Sequence, residues 1–269
     1  MPELPEVETI RRQLEARLVG RRIDSGWAFE SPKFTDARLV APAAINYVNR
    51  RGKYLVVSLD GDRELVIHLG MTGQLRVHPH DESLRDPHVR ACWQLDNGGV
   101  LEFRDIRRFG RIALVPCGVY QRLPTLATIG PEPFDPTFDG DSFWTALRSS
   151  RRRIKTQLLS QQPIAGVGNI YADEALWIAR VHPGARRITR SRATELLAAL
   201  REVLAAGISN GGTTLRDYVD SDGRRGDNQN HLHCYGQAGL PCPRCGTVLI
   251  RRSIDARSST FCPNCQRNR

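Results

Sequence analysis

Four cysteines near the end of the sequence constrain its fold more than any other feature. They form the pattern C-x2-C-x16-C-x2-C at Cys242, Cys245, Cys262 and Cys265. Two C-x-x-C pairs at this separation let four thiolates meet tetrahedrally around one zinc ion, and the strand-like residues between the pairs predict a two-stranded ribbon. Because four cysteines fill the coordination sphere, we expect one structural Zn²⁺ and no catalysis by the metal.

The charge balance indicates a polyanionic partner. The chain has 39 Lys and Arg residues against 29 Asp and Glu residues, a formal net charge of +10. Nucleic acid and acidic membrane surfaces both attract such a chain. No apolar run approaches the roughly 20 residues of a membrane span, and the first residues lack the apolar core of a signal peptide. We therefore expect an intracellular nucleic-acid-binding protein, cytoplasmic and nucleoid-associated, in which Cys92, Cys117 and Cys234 remain thiols.

The distribution of hydrophobic residues divides the chain into three regions. After a first helix, residues 1–130 contain short β-rich runs such as KYLVVSL and ELVIHLG, which predict an antiparallel β-sandwich or barrel. Residues 131–235 show helical periodicity, and the last predicted helix is followed by a polar, Gly-rich stretch (209–239) that we do not expect to pack into a core. Residues 236–269 hold the four cysteines. The predicted fold class is α+β.

The opening sequence MPELPEVET combines prolines with acidic residues. Pro5 suits the first turn of a helix, because its missing N–H is not needed there. Glu6 and Glu8 complement the positive end of the helix dipole. An ordinary helix start therefore explains these three residues, but it does not explain Pro2.

A glycine-rich turn joins two predicted helices in the sequence IAGVGNIYADEALW. Asn169 is a natural N-cap, and the free N–H groups of such a helix start bind anions. Lys155, on the preceding helix, could supply a positive charge to the same phosphate. A plain helical-hairpin turn gives the same pattern, but a basic chain with a zinc ribbon favours phosphate binding.

Two predicted strand ends, HLGMTG and RDIRRFGRI, carry Met71 and Phe109. Apolar residues presented from loops can wedge between bases while arginine contacts a base edge or a phosphate. The pattern alone favours the other interpretation, in which Met71 and Phe109 belong to the core. Lys53, at the start of a strand, is by default a solvated surface lysine.

Taken together, these motifs resemble the formamidopyrimidine-DNA glycosylase/endonuclease VIII family. The match runs along the whole chain: MPELPEVET, RRGKYL, HLGMTGQLRV, RDIRRFG, GPEP, GVGNIYADEAL, GGTTLRDY, SDGRRG and the cysteine motif. Leu4 favours the formamidopyrimidine-DNA glycosylase branch. The resemblance implies a β-sandwich with a flanking helix (1–130), a helical domain with a helix–two-turn–helix and a lesion loop (131–235), and a zinc-finger hairpin (236–269).

The resemblance also implies a role for each matching residue. The amine of Pro2, exposed by removal of Met1, is the expected nucleophile, with Glu3 and Glu6 as acidic partners and Lys53 and Arg257 in the catalytic set. The residues expected to contact DNA are His68, Met71, His88, Arg108, Phe109, Lys155, Asn169, Glu174 and Arg257. Of these, Met71, Arg108 and Phe109 are expected to fill the gap left by a flipped-out nucleotide.

The expected activity is that of a monomeric bifunctional glycosylase and AP lyase, acting on double-stranded DNA with oxidised purines or abasic sites. Two alternatives stay open from the sequence: an endonuclease VIII-like activity on oxidised pyrimidines, and a DNA-binding relative without catalysis. The polar stretch DNQNHLHCYGQ departs from the family pattern before Tyr235. Base selectivity is therefore where the resemblance constrains the protein least.

Overall fold

The computed structural model of the protein describes residues 1–79 and 86–267. The chain forms two compact units, 1–127 with 210–227 and 128–209 with 228–269. Residues 210–227 therefore pack with the first unit, although the sequence places them in the helical region; the three-domain division at residues 130 and 235 stays a prediction. Within the described residues, no helix combines the length and apolar character needed to cross a membrane.

Helix α1 (Leu4–Leu18) begins at the residues that the sequence predicts. Glu3 and Glu6 form a capping box, in which each side chain accepts the backbone N–H of the other residue. The apolar stripe that includes Ile10, Leu14 and Leu18 is fully buried. These side chains belong to the core cluster of the sandwich, so burial of this face fixes the start of the helix on the sheet.

Nine strands form the sheet of the first unit, in the order β2-β9-β5-β4-β3-β1-β7-β8-β6. Their bounds are Arg22–Ala28, Phe34–Thr35, Ala43–Arg51, Tyr54–Leu59, Arg63–His68, Gly73–His78, Val89–Leu95, Val100–Asp105 and Arg111–Pro116 for β1 to β9, and a short α2 follows at Pro124–Ala127. All pairings are antiparallel except that between β2 and β9. The sheet folds into a β-sandwich around one apolar core, which confirms the predicted architecture.

The polar segment 210–227 contributes to this core, contrary to the sequence-based expectation. Tyr218 lies in the core cluster at 8% exposure. Its hydroxyl donates to the carbonyl of Gly211 (3.0 Å), and Gln13 of α1 accepts from the backbone N–H and hydroxyl of Ser221 (2.9 and 2.8 Å). Hydrogen bonds within the segment and to α1 therefore replace the apolar periodicity that packing of this segment was expected to require.

The described residues of the second unit include four α-helices and a hairpin. Helices α3 to α6 span Gly140–Arg148, Ile154–Leu159, Asn169–Ile178 and Arg190–Ser209. Strands β10 (Ile250–Ile254) and β11 (Arg257–Phe261) pair in antiparallel register between the two C-x-x-C pairs, which confirms the predicted ribbon. Trp177 of α5 packs in one apolar cluster with Cys242, Leu249 and Cys262.

Candidate active site and nucleic-acid-binding elements

The N-terminal segment is held at the surface of the first unit by buried carboxylates. Pro2 is buried, whereas Met1 remains 54% exposed. Glu3 and Glu6 are 3% and 1% exposed, and Glu6 Oε2 accepts the backbone N–H of Glu3 at 2.7 Å. The residue that would follow the cleaved methionine is therefore fixed by the capping box of α1.

Glu6 also joins this segment to the loop that returns from the second unit. Its other oxygen, Oε1, accepts the backbone N–H of Thr213 at 2.7 Å. Gly212, at φ 87°, lies so close that an added Cβ would approach Glu6 Cγ to 2.9 Å. The glycine is required at this point because it combines a left-handed backbone with a close approach. Glu6 is therefore a positioning residue for both the N-terminus and this loop.

Lys53 is not the solvated lysine that its position predicts. It is 2% exposed, immediately before β4. Burial, followed by the positive charges of Lys53 and Arg111, lowers the pKa of His68 to about 4. His68 Nδ1 accepts the backbone N–H of Gly70 (3.1 Å), so the neutral ring helps to hold the turn that carries Met71.

Met71 and Phe109 lie on the surface, which contradicts the core interpretation favoured by their pattern. They are 38% and 45% exposed. Cations flank the Phe109 ring, with Lys33 Nζ and the Arg107 guanidinium carbon 5.5 and 4.9 Å from its centroid. Arg108, also exposed, has φ 56°, and its carbonyl accepts from Lys33 Nζ at 2.7 Å. These apolar and cationic side chains suit contact with bases and phosphates. We call Met71, Arg108 and Phe109 the wedge residues.

A single buried carboxylate joins the two wedge loops. Asp105 is fully buried and accepts the hydroxyl of Thr72 at 2.5 Å and the backbone N–H of Gly110 at 2.7 Å. The Thr72 hydroxyl oxygen in turn accepts the backbone N–H of Arg107 (3.1 Å). His88 lies beside this network, because its carbonyl accepts the backbone N–H of Asp105 (2.9 Å). The wedge residues are exposed, but the loops beneath them are fixed.

In the second unit, the turn between α4 and α5 has a different N-cap from the predicted one. Gly168 is the N-cap, and Asn169 is the first helical residue. The extended backbone of Gly168 shifts the helix start by one position, so the Asn169 side chain lies in the first turn and does not cap the helix. Its Oδ1 atom is buried and has no hydrogen-bond partner among the described residues. This amide and the helix N-terminus form a polar site suited to an anion.

Lys155 lies inside the second unit, 1% exposed. Its ammonium contacts Asp173 Oδ1 at 2.6 Å and donates to the carbonyl of Ser258 (2.7 Å) and the hydroxyl of Ser259 (2.9 Å). The structure thus gives Lys155 an internal role, joining α4, α5 and β11. Its predicted phosphate contact stays a prediction.

Glu174 is likewise internal. It is 2% exposed, and its carboxylate accepts the backbone N–H groups of His233 (2.9 Å), Cys234 (2.8 Å) and Tyr235 (2.6 Å). Three such bonds replace water around the buried charge and fix the segment before the zinc finger. Its predicted DNA contact also stays a prediction.

Arg257 is exposed at the tip of the β10–β11 hairpin. The two-residue turn before it, Asp255-Ala256, has φ 47° and 63°, which is the type I′ pattern of tight hairpins. Thr156 of α4 donates to Asp255 at 2.6 Å and so anchors this turn. The guanidinium is therefore presented from a fixed hairpin.

The four cysteines meet at the base of the hairpin. Their sulfur atoms lie within 4.8 Å of one another, with Cys245 Sγ 3.5 Å from Cys262 Sγ and 3.4 Å from Cys265 Sγ. Four Zn–S bonds of about 2.3 Å place tetrahedral sulfurs roughly 3.8 Å apart, so the cluster fits one zinc ion. The Trp177 indole N–H donates to Cys242 Sγ at 3.4 Å, an outer contact typical of a metal ligand.

Sequence reasoning missed the residues that position the site: Asp105, Thr72, Thr213 and Asp173. Each is polar and at most 5% exposed. Only the position of Asp105, at the end of a predicted strand beside arginines, gave a signal, because charged residues at strand ends often serve a site. The others become significant only through partners distant in sequence.

Family models account for most of the chain. Residues 1–112 match the formamidopyrimidine-DNA glycosylase N-terminal domain, residues 129–219 the formamidopyrimidine-DNA glycosylase H2TH domain, and residues 239–268 a zinc finger found in FPG and IleRS. The three matches follow the order of the sandwich, the helices and the hairpin.

Individual relatives extend this match to full length. The formamidopyrimidine-DNA glycosylase of Thermomicrobium roseum is 48% identical, with 99% of both chains covered. A crystal structure of the MutM (FPG) protein from Thermus thermophilus is 43% identical and superposes with a TM-score of 0.91 over 100% of both chains. A Lactococcus lactis FPG variant bound to Fapy-dG-containing DNA is 36% identical, with a TM-score of 0.89 over 99% of this chain and 100% of that one. The wedge residues, the capped N-terminus and the four-cysteine cluster thus occur in a chain that belongs to the formamidopyrimidine-DNA glycosylase family.

Proposed function

We propose that this protein is a bifunctional DNA glycosylase and AP lyase that removes oxidised purines from double-stranded DNA during base excision repair. The observation that carries the proposal is the buried Glu3–Glu6 capping box, which fixes Pro2 at the start of α1. Family membership supports the same activity, and relatives have been solved with Fapy-dG and with a carbocyclic 8-oxo-G in DNA.

The proposed nucleophile is the secondary amine of Pro2 after removal of Met1. An α-amine has a reference pKa of about 8, against about 10.4 for lysine, so more of it is neutral near pH 7. Its nitrogen attacks C1′ of the damaged nucleotide, and the base leaves with the electrons of the glycosidic bond and takes up a proton. Opening of the sugar then gives an iminium, and Glu3 is the proposed donor of the proton to the sugar oxygen.

The iminium permits cleavage of the strand. It acidifies the C2′ protons, so loss of one expels the 3′-phosphate by β-elimination, and a second elimination expels the 5′-phosphate. Lys53 and Arg257 are the proposed charged groups for these steps, and the wedge residues fill the gap left when the nucleotide leaves the stack. The zinc ion stabilises the hairpin that presents Arg257 and takes no part in the chemistry.

Borohydride trapping tests the nucleophile. Reduction of the iminium links protein and lesion-containing DNA covalently, and we expect Pro2→Gly, or a protein that retains Met1, to abolish the link. Lys53→Ala serves as the comparison, because the Lys53 amine is the candidate nucleophile if Pro2 is not. Trapping that persists in Pro2→Gly and maps to Lys53 would refute the assignment.

Arg108 gives a physical reason for a preference for cytosine as the base opposite the lesion. Its guanidinium presents only donors, which suits cytosine, because the pairing edge of cytosine carries two acceptors. Adenine presents one acceptor and one donor, and each lost contact costs on the order of 1–3 kcal/mol. We expect faster excision of 8-oxoguanine opposite cytosine than opposite adenine, with a smaller difference in Arg108→Ala.

Matched duplexes with 8-oxoguanine, formamidopyrimidine or thymine glycol decide the base preference. Release of thymine glycol with negligible release of purines would place the protein with endonuclease VIII-like enzymes.

We further propose that the protein acts in the cytoplasm, at the nucleoid, because its net charge of +10 favours DNA as the partner. We also propose that it acts as a monomer.

A further inference from the structure

A groove in the second unit carries a positive charge that the proposed function does not use. It has a volume of about 830 Å³ and lies between the end of α5, the start of α6 and the two cysteine pairs. Five guanidiniums line it, and no Asp or Glu does among the described residues: Arg180, Arg187, Arg192, Arg244 and Arg267. We call this cavity the arginine groove.

The charge of the zinc site does not account for these arginines. Four thiolates and Zn²⁺ carry a formal charge of −2, against +5 for five guanidiniums, so three positive charges remain. Within the described residues, the only carboxylate in salt-bridge distance of a lining guanidinium is Glu195, 2.8 Å from Arg192, and counting this pair leaves two positive charges. The first turn of α6, a 20-residue helix, adds the positive end of its dipole, because Thr189 and Arg192 line the groove.

Two of the guanidiniums are fixed before any ligand arrives. Arg244 lies 4.1 Å from the centroid of the Trp177 ring and donates to the Trp177 carbonyl at 3.0 Å. Arg192 donates to the Ala179 carbonyl at 3.0 Å. Both therefore bind the negative end of α5, so an incoming anion meets cations that are already oriented.

Arg180 occupies a position at which glycine is strongly favoured. It follows the C-cap of α5 with φ 53°, and the N–H groups of Arg180 and Val181 bond to the carbonyls of Trp177 (3.2 Å) and Leu176 (2.9 Å). This is the Schellman motif, whose left-handed residue is usually glycine. An arginine costs stability there, and it brings a guanidinium to the groove that glycine would not supply.

The groove is separate from the predicted DNA contacts of the same unit. Asn169 begins α5 and Arg180 follows its end, so about 15 Å of helix separates them. Arg257 begins β11 and the second cysteine pair follows that strand, about 17 Å away. A ligand in the groove therefore lies at the opposite end of both elements from these contacts.

We propose that the arginine groove is a second phosphate-binding site, which takes consecutive phosphate groups. A guanidinium donates two parallel hydrogen bonds to phosphate oxygens, and the two unneutralised positive charges suit the adjacent phosphates of a short phosphate chain. The shared chemistry has two sources, a free polyphosphate such as a nucleoside triphosphate, and the backbone of a second nucleic-acid strand.

Titration calorimetry on the zinc-loaded full-length protein, first saturated with a duplex containing an abasic-site analogue, tests the proposal. We expect tripolyphosphate to bind to this complex, and Arg180→Gln/Arg187→Gln to weaken binding at least tenfold while excision of 8-oxoguanine is unchanged. Arg187→Gln alone is compared with Arg186→Gln, because Arg186 is exposed and adjacent but does not line the groove. Equal losses of tripolyphosphate affinity in these two single variants would show that only the overall charge matters, and would overturn the proposal.

Further arms identify the source of the phosphates. Tighter binding of ATP than of oligodeoxythymidylate assigns the groove to free polyphosphates, and the reverse assigns it to a second strand. Tighter binding of an acidic hexapeptide than of either, or loss of tripolyphosphate binding on saturation with duplex, overturns the proposal. Arg180→Gly gives an independent check, because it should raise the unfolding temperature while it weakens tripolyphosphate binding.

Discussion

The two halves of the molecule hold their predicted DNA contacts in place by different means. In the first unit, the wedge loops are joined by hydrogen bonds to one buried carboxylate, Asp105. In the second unit, the elements that carry Asn169 and Arg257 are joined by the Lys155–Asp173 ion pair and by the four-cysteine cluster. The first arrangement is local to two neighbouring loops, whereas in the second Lys155 also donates to the carbonyl of Ser258 in β11, 103 positions away in sequence. The second unit should therefore be the more sensitive to loss of a single group.

Loss of zinc should give the largest difference between the two units, because it should unfold part of the second unit and leave the first unit folded. Structural zinc contributes on the order of 10 kcal/mol to folding of small zinc modules, so we expect Cys262→Ser to remove amide protection from residues 239–267 and to abolish DNA binding. Strands β4 and β5 should keep their protection in hydrogen-exchange mass spectrometry. Cys117→Ser, an exposed thiol outside the cluster, is the control. A zinc-free protein with full DNA affinity would contradict this expectation.

Breaking the buried ion pair should have the next largest effect. Lys155→Met leaves the Asp173 carboxylate buried without its partner, and we expect a loss of roughly 3–5 kcal/mol in the free energy of unfolding. Lys155→Met/Asp173→Leu should recover most of that loss in urea titrations, because both charges are then absent. If the double variant is stable but still binds DNA weakly, Lys155 has the predicted phosphate role in addition to its internal one.

Removing the Asp105 charge tests the local arrangement of the first unit. Asp105→Asn replaces one acceptor oxygen with an amide that cannot accept from both Thr72 and Gly110, and we expect a loss of about 2 kcal/mol in stability. Excision should slow by at least tenfold, because the wedge loops lose their common anchor. The matched control is Asp96→Asn, at an exposed turn. Unchanged excision in Asp105→Asn would show that the wedge loops are held by other contacts.

The smallest expected effect concerns pH. Burial, Lys53 and Arg111 lower the pKa of His68 to about 4, whereas an unfolded histidine titrates near 6.5. Between these values the unfolded chain binds more protons, so stability from this group is complete above about pH 6.5 and is lost as the pH falls towards 4. We expect a loss of about 1–2 kcal/mol for this partly buried ring, measured by denaturant titrations across that range.

His68→Asn should flatten this pH dependence, because its amide oxygen can still accept from Gly70 but does not titrate. His231→Asn, at an exposed histidine, is the control. A pH dependence that is the same in His68→Asn and the parent protein would assign the effect to other groups.

The success of sequence reasoning differed between motifs and single residues. The cysteine spacing predicted the hairpin and its zinc site, because four ligands at that separation allow few arrangements. The core interpretation of Met71 and Phe109 was wrong, because an apolar residue in a short strand-end motif gives no periodicity from which to infer its direction. The predicted N-cap at Asn169 was one residue late, because the glycine before it adopts the extended cap conformation itself.

The sequence by itself determined the family, the α+β architecture, the metal and the identity of the chemical groups, since these follow from ordered motifs and from the side chains that carry the chemistry. The tertiary structure alone decided which of those groups face solvent. Lys53, Lys155 and Glu174 are charged residues that the fold buries, whereas Met71 and Phe109 are apolar residues that it exposes. The reason is physical: burial of a charge depends on partners that are distant in sequence, and exposure of an apolar side chain depends on the loop beneath it being fixed by other residues.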